Sequence, residues 1–196
     1  MDFAAGMVAF PGGRVDDTDS RGWTFGDDLL NAHAVAWGVT SVTHDAARAK
    51  RDAGRVLAAA VREVAEECGI ALSPDSLMPW AHWVTPEGQP KRFDTYFFVA
   101  VVGYGVEPRH QTTEAWQSEW MPVSRILQDE AAGRIRLLPP TLVILDELVD
   151  IGAAAAIGQT KRVIECVRPR PGDLEEYFRL RRQGQKWDMR HPRRQL

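Results

Sequence analysis

The segment from Asp45 to Cys68 gives the strongest helix prediction in this 196-residue chain. It is rich in Ala, Arg, Glu and Val, its one internal glycine is Gly54, and Gly69 stands where helices are commonly capped. A helix of this length must bury its apolar side against other elements, because one helix cannot shield that side alone. The chain therefore has to supply a sheet or further helices around this segment.

The predicted helix has two chemically different faces. At about 100° per residue, the carboxylates of Glu63, Glu66 and Glu67 fall within one arc of about 100°. The apolar side chains on another face are those of Leu57, Val61, Val64 and Cys68. Carboxylates at this spacing repel each other, and a hard divalent cation such as Mg²⁺ would offset the repulsion through oxygen ligands. A solvated acidic face with Arg62 as its ionic partner is the alternative.

Shorter strands and helices alternate irregularly around this helix. Strands are predicted for 6–10, 80–85, 92–102 and 116–123, with a turn at 86–90 that makes the middle two a hairpin. Helices are predicted for 27–37, for 139–149 and for a stretch that Ser124 caps and that ends at Ala132. This order indicates an α/β or α+β fold.

Composition and charge exclude several classes of protein. With 44% apolar and 26% charged residues the chain can bury a core, and its formal net charge of −3 provides no bulk attraction for nucleic acid or an anionic membrane. Two cysteines are too few for a disulfide framework and suit a reducing compartment. No run of 18 apolar residues occurs, and the first six residues lack the pattern of a signal peptide. We expect a cytoplasmic protein that binds neither nucleic acid nor membrane.

Residues 159–196 differ from the rest of the chain in charge. They contain eleven Lys or Arg and five Asp or Glu, a local excess of six positive charges. We therefore divide the chain into a domain at 1–158, with an ordered insertion at about 20–54, and a basic C-terminal extension at 159–196. A solvated or subunit-contacting role is the expectation for the extension.

Two stretches of the chain together resemble the Nudix box, G-x5-E-x7-R-E-U-x-E-E-x-G-U, in which U is aliphatic. The second half, Arg62–Ile70, matches at every fixed position. The first half begins at Gly13 and has Asp19 where the box has Glu. Forty-two residues separate Asp19 from Arg62 where the box has seven, so the chain carries an insertion of 35 residues.

An inserted box with this substitution looks like the long-insert branch of Nudix hydrolases that includes acyl-coenzyme A diphosphatases. The stretches that support the resemblance, over roughly residues 3–150, are Gly6–Asp16, Trp83–Pro86 with Arg92–Phe98, and Leu138–Thr141. It implies a Nudix-like α/β/α sandwich with a mixed sheet, the insertion inside the box and a C-terminal helical extension. It also implies Mg²⁺- or Mn²⁺-dependent hydrolysis of a phosphoanhydride in a nucleoside diphosphate derivative, with coenzyme A or acyl-coenzyme A preferred.

The resemblance assigns roles to residues of the box. Glu63 and Glu67 would be direct metal ligands, and the carbonyl of Gly13 a backbone ligand. Glu66 would be a further ligand or would hold the attacking water, and Arg62 would orient the glutamates by ion pairing.

Residues outside the second half of the box are candidates for catalysis and substrate binding. Glu114 is the candidate general base and Glu119 the second choice, with a surface carboxylate as the alternative for each. Arg14, Trp83 and Arg92 are candidate contacts for the nucleotide or pantetheine, although core packing is an equal alternative for Trp83.

Two other functions use the same fold and stay open. ADP-ribose, NADH or nucleotide-sugar pyrophosphatases share the box, so the box predicts the chemistry and not the substrate. A Nudix fold can also serve as a non-catalytic ligand-binding domain, which the substitution at Asp19 leaves open, whereas the intact glutamate triplet favours catalysis. We expect the insertion to lie near the mouth of the site, so that its removal would alter substrate preference more than stability.

The strand that leads into the Pro-Gly-Gly loop lies unusually near the start of the sequence. Nudix domains usually have another strand before it, yet only ten residues precede Pro11 here. An open strand edge next to the Gly13 loop would invite pairing with a second subunit. We therefore expect either a homodimer that covers this edge or weak activity that a longer protein restores.

Overall fold

The computed structural model of the protein describes residues 7–111 and 117–185. The strands are β1 (Met7–Val8), β2 (Leu77–Val84), β3 (Asp94–Ala100), β4 (Arg136–Leu137) and β5 (Cys166–Val167). The helices are α1 (Asp27–Ala36), α2 (Ala49–Cys68), α3 (Val123–Ala131), α4 (Pro139–Ile151), α5 (Ala154–Gln159) and α6 (Asp173–Arg182). A 3₁₀ turn at Asp17–Ser20 lies between β1 and α1. None of the described helices combines the length and the hydropathy that crossing a membrane requires.

The strands form two sheets. β1 and β4 pair in parallel, while β2 lies between β3, which is antiparallel to it, and β5, which is parallel. The predicted hairpin is confirmed, with Val84 opposite Asp94 next to the turn. The register shifts between Pro79 and Ala81, a position that suits proline because its ring nitrogen cannot donate a ladder hydrogen bond.

Each face of the three-stranded sheet carries its own apolar cluster. Phe98 of β3 packs on a first cluster, which includes Trp37 at the end of α1 and residues of α2. Its neighbour Phe97 packs on a second cluster, which includes Leu142 of α4 and Tyr177 of α6. Because side chains alternate along a strand, helices cover both faces of the sheet. The predicted α/β/α arrangement around a mixed sheet is confirmed.

Helix α2 begins at Ala49, four residues later than the sequence predicts. Asp45 instead holds a turn, in which its side chain accepts a hydrogen bond from the Ala47 N–H at 3.0 Å. A short carboxylate of this kind competes with the helix for backbone donors. The helix ends at Gly69 as predicted, with a φ of +65°, a left-handed conformation that glycine adopts at little cost.

The strand predicted up to Val123 is wrong over the residues that the structure describes. Residues 117–122 have no regular structure, and α3 begins directly after Pro122 rather than after Ser124. Pro122 lacks an N–H and has a fixed φ, which disfavours a paired strand and favours a helix start. Trp120, part of the apparent strand pattern, is 55% exposed and donates its indole N–H to a loop carbonyl at 2.6 Å.

The insertion contributes to the core. Trp37, Val42 and Leu30 are all less than a tenth exposed. The Trp37 ring meets Tyr96 and Phe98 edge-on, with centroid distances of 5.2 Å to each. Burial of aromatic and aliphatic surface on this scale is a main source of folding free energy. This burial weighs against the expectation that the insertion matters more for substrate preference than for stability.

The basic C-terminal extension packs onto the domain over its described part. β5 pairs with β2, and Tyr177 of α6 is buried in the second cluster. Arg181 forms ion pairs with Glu130 of α3 at 2.9 Å and with Asp146 of α4 at 3.1 Å. Part of the extension's positive charge therefore holds α6 against α3 and α4, and the sheet continues across the boundary predicted after residue 158.

Candidate active site on helix α2

The loop that follows β1 lies against the acidic face of α2. A Cβ atom added to Gly13 would lie within 2.7 Å of Oε2 of Glu63 and closer still to Oε1, so a larger residue here would displace the Glu63 carboxylate. The N–H of Gly12 donates to Oε2 of Glu67 at 2.9 Å. The two glycines therefore bring the loop backbone into contact with both predicted metal ligands.

The guanidinium of Arg62 joins the loop to the helix and uses all five of its N–H groups. Nε and Nη2 donate to the two carboxylate oxygens of Asp19, each at 2.9 Å, as a bidentate pair. Nη2 also donates to the carbonyl of Arg14 at 2.9 Å. Nη1 donates to Glu63 at 2.8 Å and to Glu66 at 3.0 Å. These are the contacts expected of a residue that orients the glutamates.

Asp19 anchors this network from inside the protein. Its side chain is only 4% exposed, and Oδ2 accepts a further hydrogen bond from the Asp16 N–H at 2.7 Å. Hydrogen bonds from Arg62 lower the pKa of Asp19 although burial opposes them, and the same pairing raises the pKa of Arg62. Both groups are therefore charged at neutral pH, and removing one partner of such a pair would leave the other charge uncompensated.

Carboxylate and backbone oxygens lie close together where the loop after β1 approaches α2. Carboxylate and carbonyl oxygens are the ligands that Mg²⁺ and Mn²⁺ prefer, so the donor set of Glu63, Glu67 and the Gly13 backbone fits a hard divalent cation. Glu66 lies beside them, and its side chain is 56% exposed. Within residues 7–111 and 117–185, no three acidic, His or Cys side chains already converge as metal ligands. The glutamates are held by Arg62 and by the loop amide.

The three predicted substrate contacts occupy different environments. The side chain of Arg14 is exposed on the loop that touches α2. Trp83 is 5% exposed in the second apolar cluster, because its position in β2 directs it towards α4, an environment that favours the core-packing alternative. Arg92 is exposed in the turn between β2 and β3, where its Nε donates to the carbonyl of Thr85 at 3.2 Å.

The two candidate general bases are both in the segment between β3 and α3. Glu114 lies outside the described residues. Glu119 is exposed in the irregular stretch before α3. Gln111, three residues before Glu114, donates its backbone N–H to the carbonyl of Glu67 at 3.3 Å, so this segment is tied to the C-terminal end of α2. Both assignments stay predictions.

Two residues of the Arg62 network, Asp19 and Trp23, are assigned no function by the sequence-based predictions. Asp19 is the sixth residue after Gly13, and an acid at that place is the signal that could have identified it as the partner of Arg62. Trp23 donates its indole N–H to the carbonyl of Asp19 at 2.8 Å. No pattern in the sequence points to Trp23, because it lies in the insertion, where the box defines no positions.

Comparisons with known proteins agree with this geometry. The family model described as NUDIX domain matches residues 49–140, from the start of α2 to the start of α4. A Caenorhabditis elegans protein named nudix hydrolase 7 is 26% identical over 185 residues, which cover 85% of this chain and 59% of that protein. The chain thus spans less than two thirds of the length of that relative.

A solved structure is similar to most of the chain. The NUDIX hydrolase from Alicyclobacillus acidocaldarius aligns with a TM-score of 0.61 and 26% identity, covering 83% of this chain and 85% of that one. The matched region includes the helix that carries Arg62 and the three glutamates. Residues 49–140 therefore match a Nudix domain, and the chain has an α/β fold similar to that of a Nudix hydrolase.

Proposed function

We propose that the protein is a metal-dependent hydrolase that cleaves a phosphoanhydride bond in a nucleoside diphosphate derivative. The observation that carries this proposal is the Arg62 network, which holds Glu63 and Glu66 where two loop glycines contact the same helix face. A merely solvated acidic face has no need of an arginine with five hydrogen bonds or of a loop backbone against its carboxylates. The arrangement fits a site that must keep several oxygen ligands in fixed positions.

The chain's own residues divide the work at this site. Glu63, Glu67 and the backbone carbonyl of Gly13 would hold the cation. Each carboxylate has about four lone-pair positions, so the hydrogen bonds from Arg62 leave further positions on Glu63 and Glu66. When bound, Mg²⁺ or Mn²⁺ supplies neutralisation of diphosphate oxygens and acidification of a water molecule.

Glu66 is suited to orient the attacking water. Its side chain is 56% exposed, and Arg62 fixes one of its oxygens at 3.0 Å. The oxygen of the water would add to one phosphorus of the anhydride, and the bond from that phosphorus to the bridging oxygen would break. The proton of the water would pass to a general base, for which Glu114 is the first candidate and Glu119 the second.

Coenzyme A and acyl-coenzyme A are the substrates that we propose first. The support is the inserted box with Asp19 and the stretch Leu138–Thr141, both of which resemble the acyl-coenzyme A diphosphatase branch. Arg14 and Arg92 offer exposed positive charge for the phosphates of such a ligand. ADP-ribose, NADH and nucleotide sugars carry the same diphosphate and are the alternatives.

Substrate profiling tests the proposal. The purified protein is incubated with Mg²⁺ and coenzyme A, acyl-coenzyme A, ADP-ribose, NADH or a nucleoside triphosphate, and products are identified by mass spectrometry. We expect the highest kcat/KM for coenzyme A or its acyl derivative. A higher kcat/KM for ADP-ribose, NADH or a nucleotide sugar assigns the alternative activity. Tight binding without product from any compound assigns the non-catalytic function and overturns the proposed chemistry.

We also propose that the protein is a homodimer in the cytoplasm. β1 has β4 on one side, and within the described residues that sheet has only these two strands, so an edge next to the loop can accept a second copy. Cys68 and Cys166 are free thiols, as is usual in a reducing compartment. Light scattering of the purified protein tests the dimer, and imaging of a fluorescent fusion in the source cell tests the location.

A further inference from the structure

Because of the insertion, the covalent chain restrains the position of Asp19 relative to Arg62 only weakly. Asp19 and Arg62 are separated by 42 residues where the uninterrupted box has seven. The entropy lost on closing a flexible loop grows with its length, so the covalent connection alone fixes their relative position less well. Contacts outside the box must therefore hold Asp19 against the helix.

Trp23 supplies such a contact from within the insertion. Its indole N–H donates to the backbone carbonyl of Asp19 at 2.8 Å. Its ring stacks on Phe25, with a centroid distance of 4.9 Å and an interplanar angle of 14°. The carbonyl that it holds belongs to the residue whose carboxylate pairs with Arg62. Trp23 therefore restrains the backbone directly behind the ion pair.

The far edge of the Trp23 ring rests on the backbone of α2 at Gly54. A Cβ atom added to Gly54 would lie 2.6 Å from Cη2 and 2.8 Å from Cζ2 of Trp23, closer than real side chains come. Glycine inside a helix weakens the helix. Its presence here provides the room that the indole needs, and it gives the ring a fixed support on the same helix that carries Arg62.

We propose that Trp23, seated on Gly54, is a positioning residue through which the insertion fixes Asp19. Asp19 in turn fixes the guanidinium of Arg62, and with it the glutamates that accept its hydrogen bonds. The contact replaces the short covalent connection of an uninterrupted box. Its effect on metal binding rests on the proposed function, whereas its effect on the pairing of Asp19 with Arg62 does not.

The test compares Trp23→Phe with Trp37→Phe in the full-length protein. Trp23→Phe keeps an aromatic ring but removes the donor to Asp19. Trp37→Phe makes the same chemical change in the same insertion, at a residue that is fully buried and whose indole N–H has no hydrogen-bond partner among the described residues. The control therefore perturbs packing at least as strongly without removing a contact to the ion pair.

Two measurements separate positioning from stability. The first is the Nε–H resonance of Arg62 in ¹⁵N NMR spectra without metal, identified by its loss in Arg62→Lys. The second is the dissociation constant for Mg²⁺, measured by calorimetry without substrate. In Trp23→Phe we expect faster solvent exchange of the Arg62 Nε–H and a dissociation constant raised about tenfold, the effect of losing one well-placed hydrogen bond. Trp37→Phe should lower the melting temperature and leave both measurements unchanged.

Gly54→Ala tests the placement of Trp23 independently, by changing the residue on which its ring rests. The added methyl group displaces the indole without touching Asp19, so we expect the same loss of Arg62 protection and the same weakening of Mg²⁺ binding. The double variant with Trp23→Phe should be no worse than Trp23→Phe alone, because both changes act on one contact.

The outcomes distinguish this inference from the proposed function. Wild-type protection of the Arg62 Nε–H in folded Trp23→Phe and Gly54→Ala overturns the positioning role. Equal loss in Trp37→Phe also overturns it, because the effect would then be general destabilisation. If the wild-type protein does not bind Mg²⁺, the proposed metal site fails, while the NMR comparison still decides whether Trp23 holds the ion pair.

Discussion

Helix α2 carries the candidate chemistry on one face and part of the core on another, and different forces hold the two faces. The acidic face is tied to the loop after β1 by hydrogen bonds of Arg62 and of the Gly12 amide. The apolar face includes Ala53 and Leu57, which have no exposed surface, and Ala53 packs in the same cluster as Trp37 of the insertion. Substitutions of the glutamates on the acidic face should therefore alter turnover with little loss of stability, and substitutions on the apolar face should lower stability more than turnover.

Deleting residues 22–43 should have the largest effect, because it removes the partner of the apolar face. Loss of one buried tryptophan typically costs about 3–5 kcal/mol. A domain has only about 5–15 kcal/mol of stability in total, and the deletion also removes buried Leu30 and Val42. We expect the deleted protein to be unfolded at 25 °C by circular dichroism.

A pair of point substitutions sharpens the same prediction. Trp37→Ala should lower the melting temperature strongly, whereas Tyr104→Ala, at a fully exposed aromatic residue, should leave it unchanged. A deleted protein that still unfolds cooperatively with a wild-type melting temperature would show that α2 does not depend on the insertion. The division between the two faces would then be wrong.

Glu67→Gln should have the next largest effect, and on turnover alone. Glutamine keeps the size of the side chain and an oxygen that can accept the Gly12 N–H, but it removes the negative charge. Charge stabilisation by a bound metal is worth several kcal/mol, so turnover at saturating Mg²⁺ should fall by at least about 100-fold. The melting temperature should stay close to that of the wild type.

Glu175→Gln is the matched control for this substitution. It makes the same change at an exposed glutamate of α6 and should alter neither turnover nor stability. Wild-type turnover in folded Glu67→Gln would remove Glu67 from the metal site. A large drop in melting temperature would instead show that the acidic face also supports the fold.

The parts of the molecule that could be predicted from sequence are those that local spacing determines. The glutamates share a face because three- and four-residue steps on a helix return to the same side. The end of α2 at Gly69 follows from a left-handed cap, and the β2–β3 hairpin from β-forming residues on both sides of a turn. Each of these features depends on residues close together in the chain.

The parts that could not be predicted depend on distant contacts. Trp37 is buried because it meets Tyr96 and Phe98, which lie far along the chain on β3. The partner of Arg62 is 43 positions away, beyond an insertion that breaks the spacing rule. A tryptophan can serve either as a ligand contact or as a core residue, and the sequence does not distinguish the two roles for Trp83. The direction of its side chain from β2 places it in the second apolar cluster.

The smallest predicted effect is a dependence of stability on pH that arises from the buried His33. His33 of α1 is 4% exposed, and burial lowers its pKa, although a hydrogen bond with the backbone of Leu77 and the charge of Asp75 act in the opposite direction. The unfolded chain takes up a proton at the ordinary histidine pKa of 6.5, whereas the folded protein resists protonation to lower pH. Stability from neutral His33 is therefore fully present above pH 6.5 and declines as the pH falls below that value.

His33→Gln tests this origin of the pH dependence. Glutamine is neutral throughout, so the difference in melting temperature between about pH 7.5 and pH 5.5 should be smaller in the variant than in the wild type. His44→Gln, at an exposed histidine of the same insertion, should keep the wild-type difference. Turnover should be little affected, because His33 lies in α1 and is not among the described residues that contact Arg62. If the pH dependence of stability persists unchanged in His33→Gln, burial of neutral His33 is not its origin.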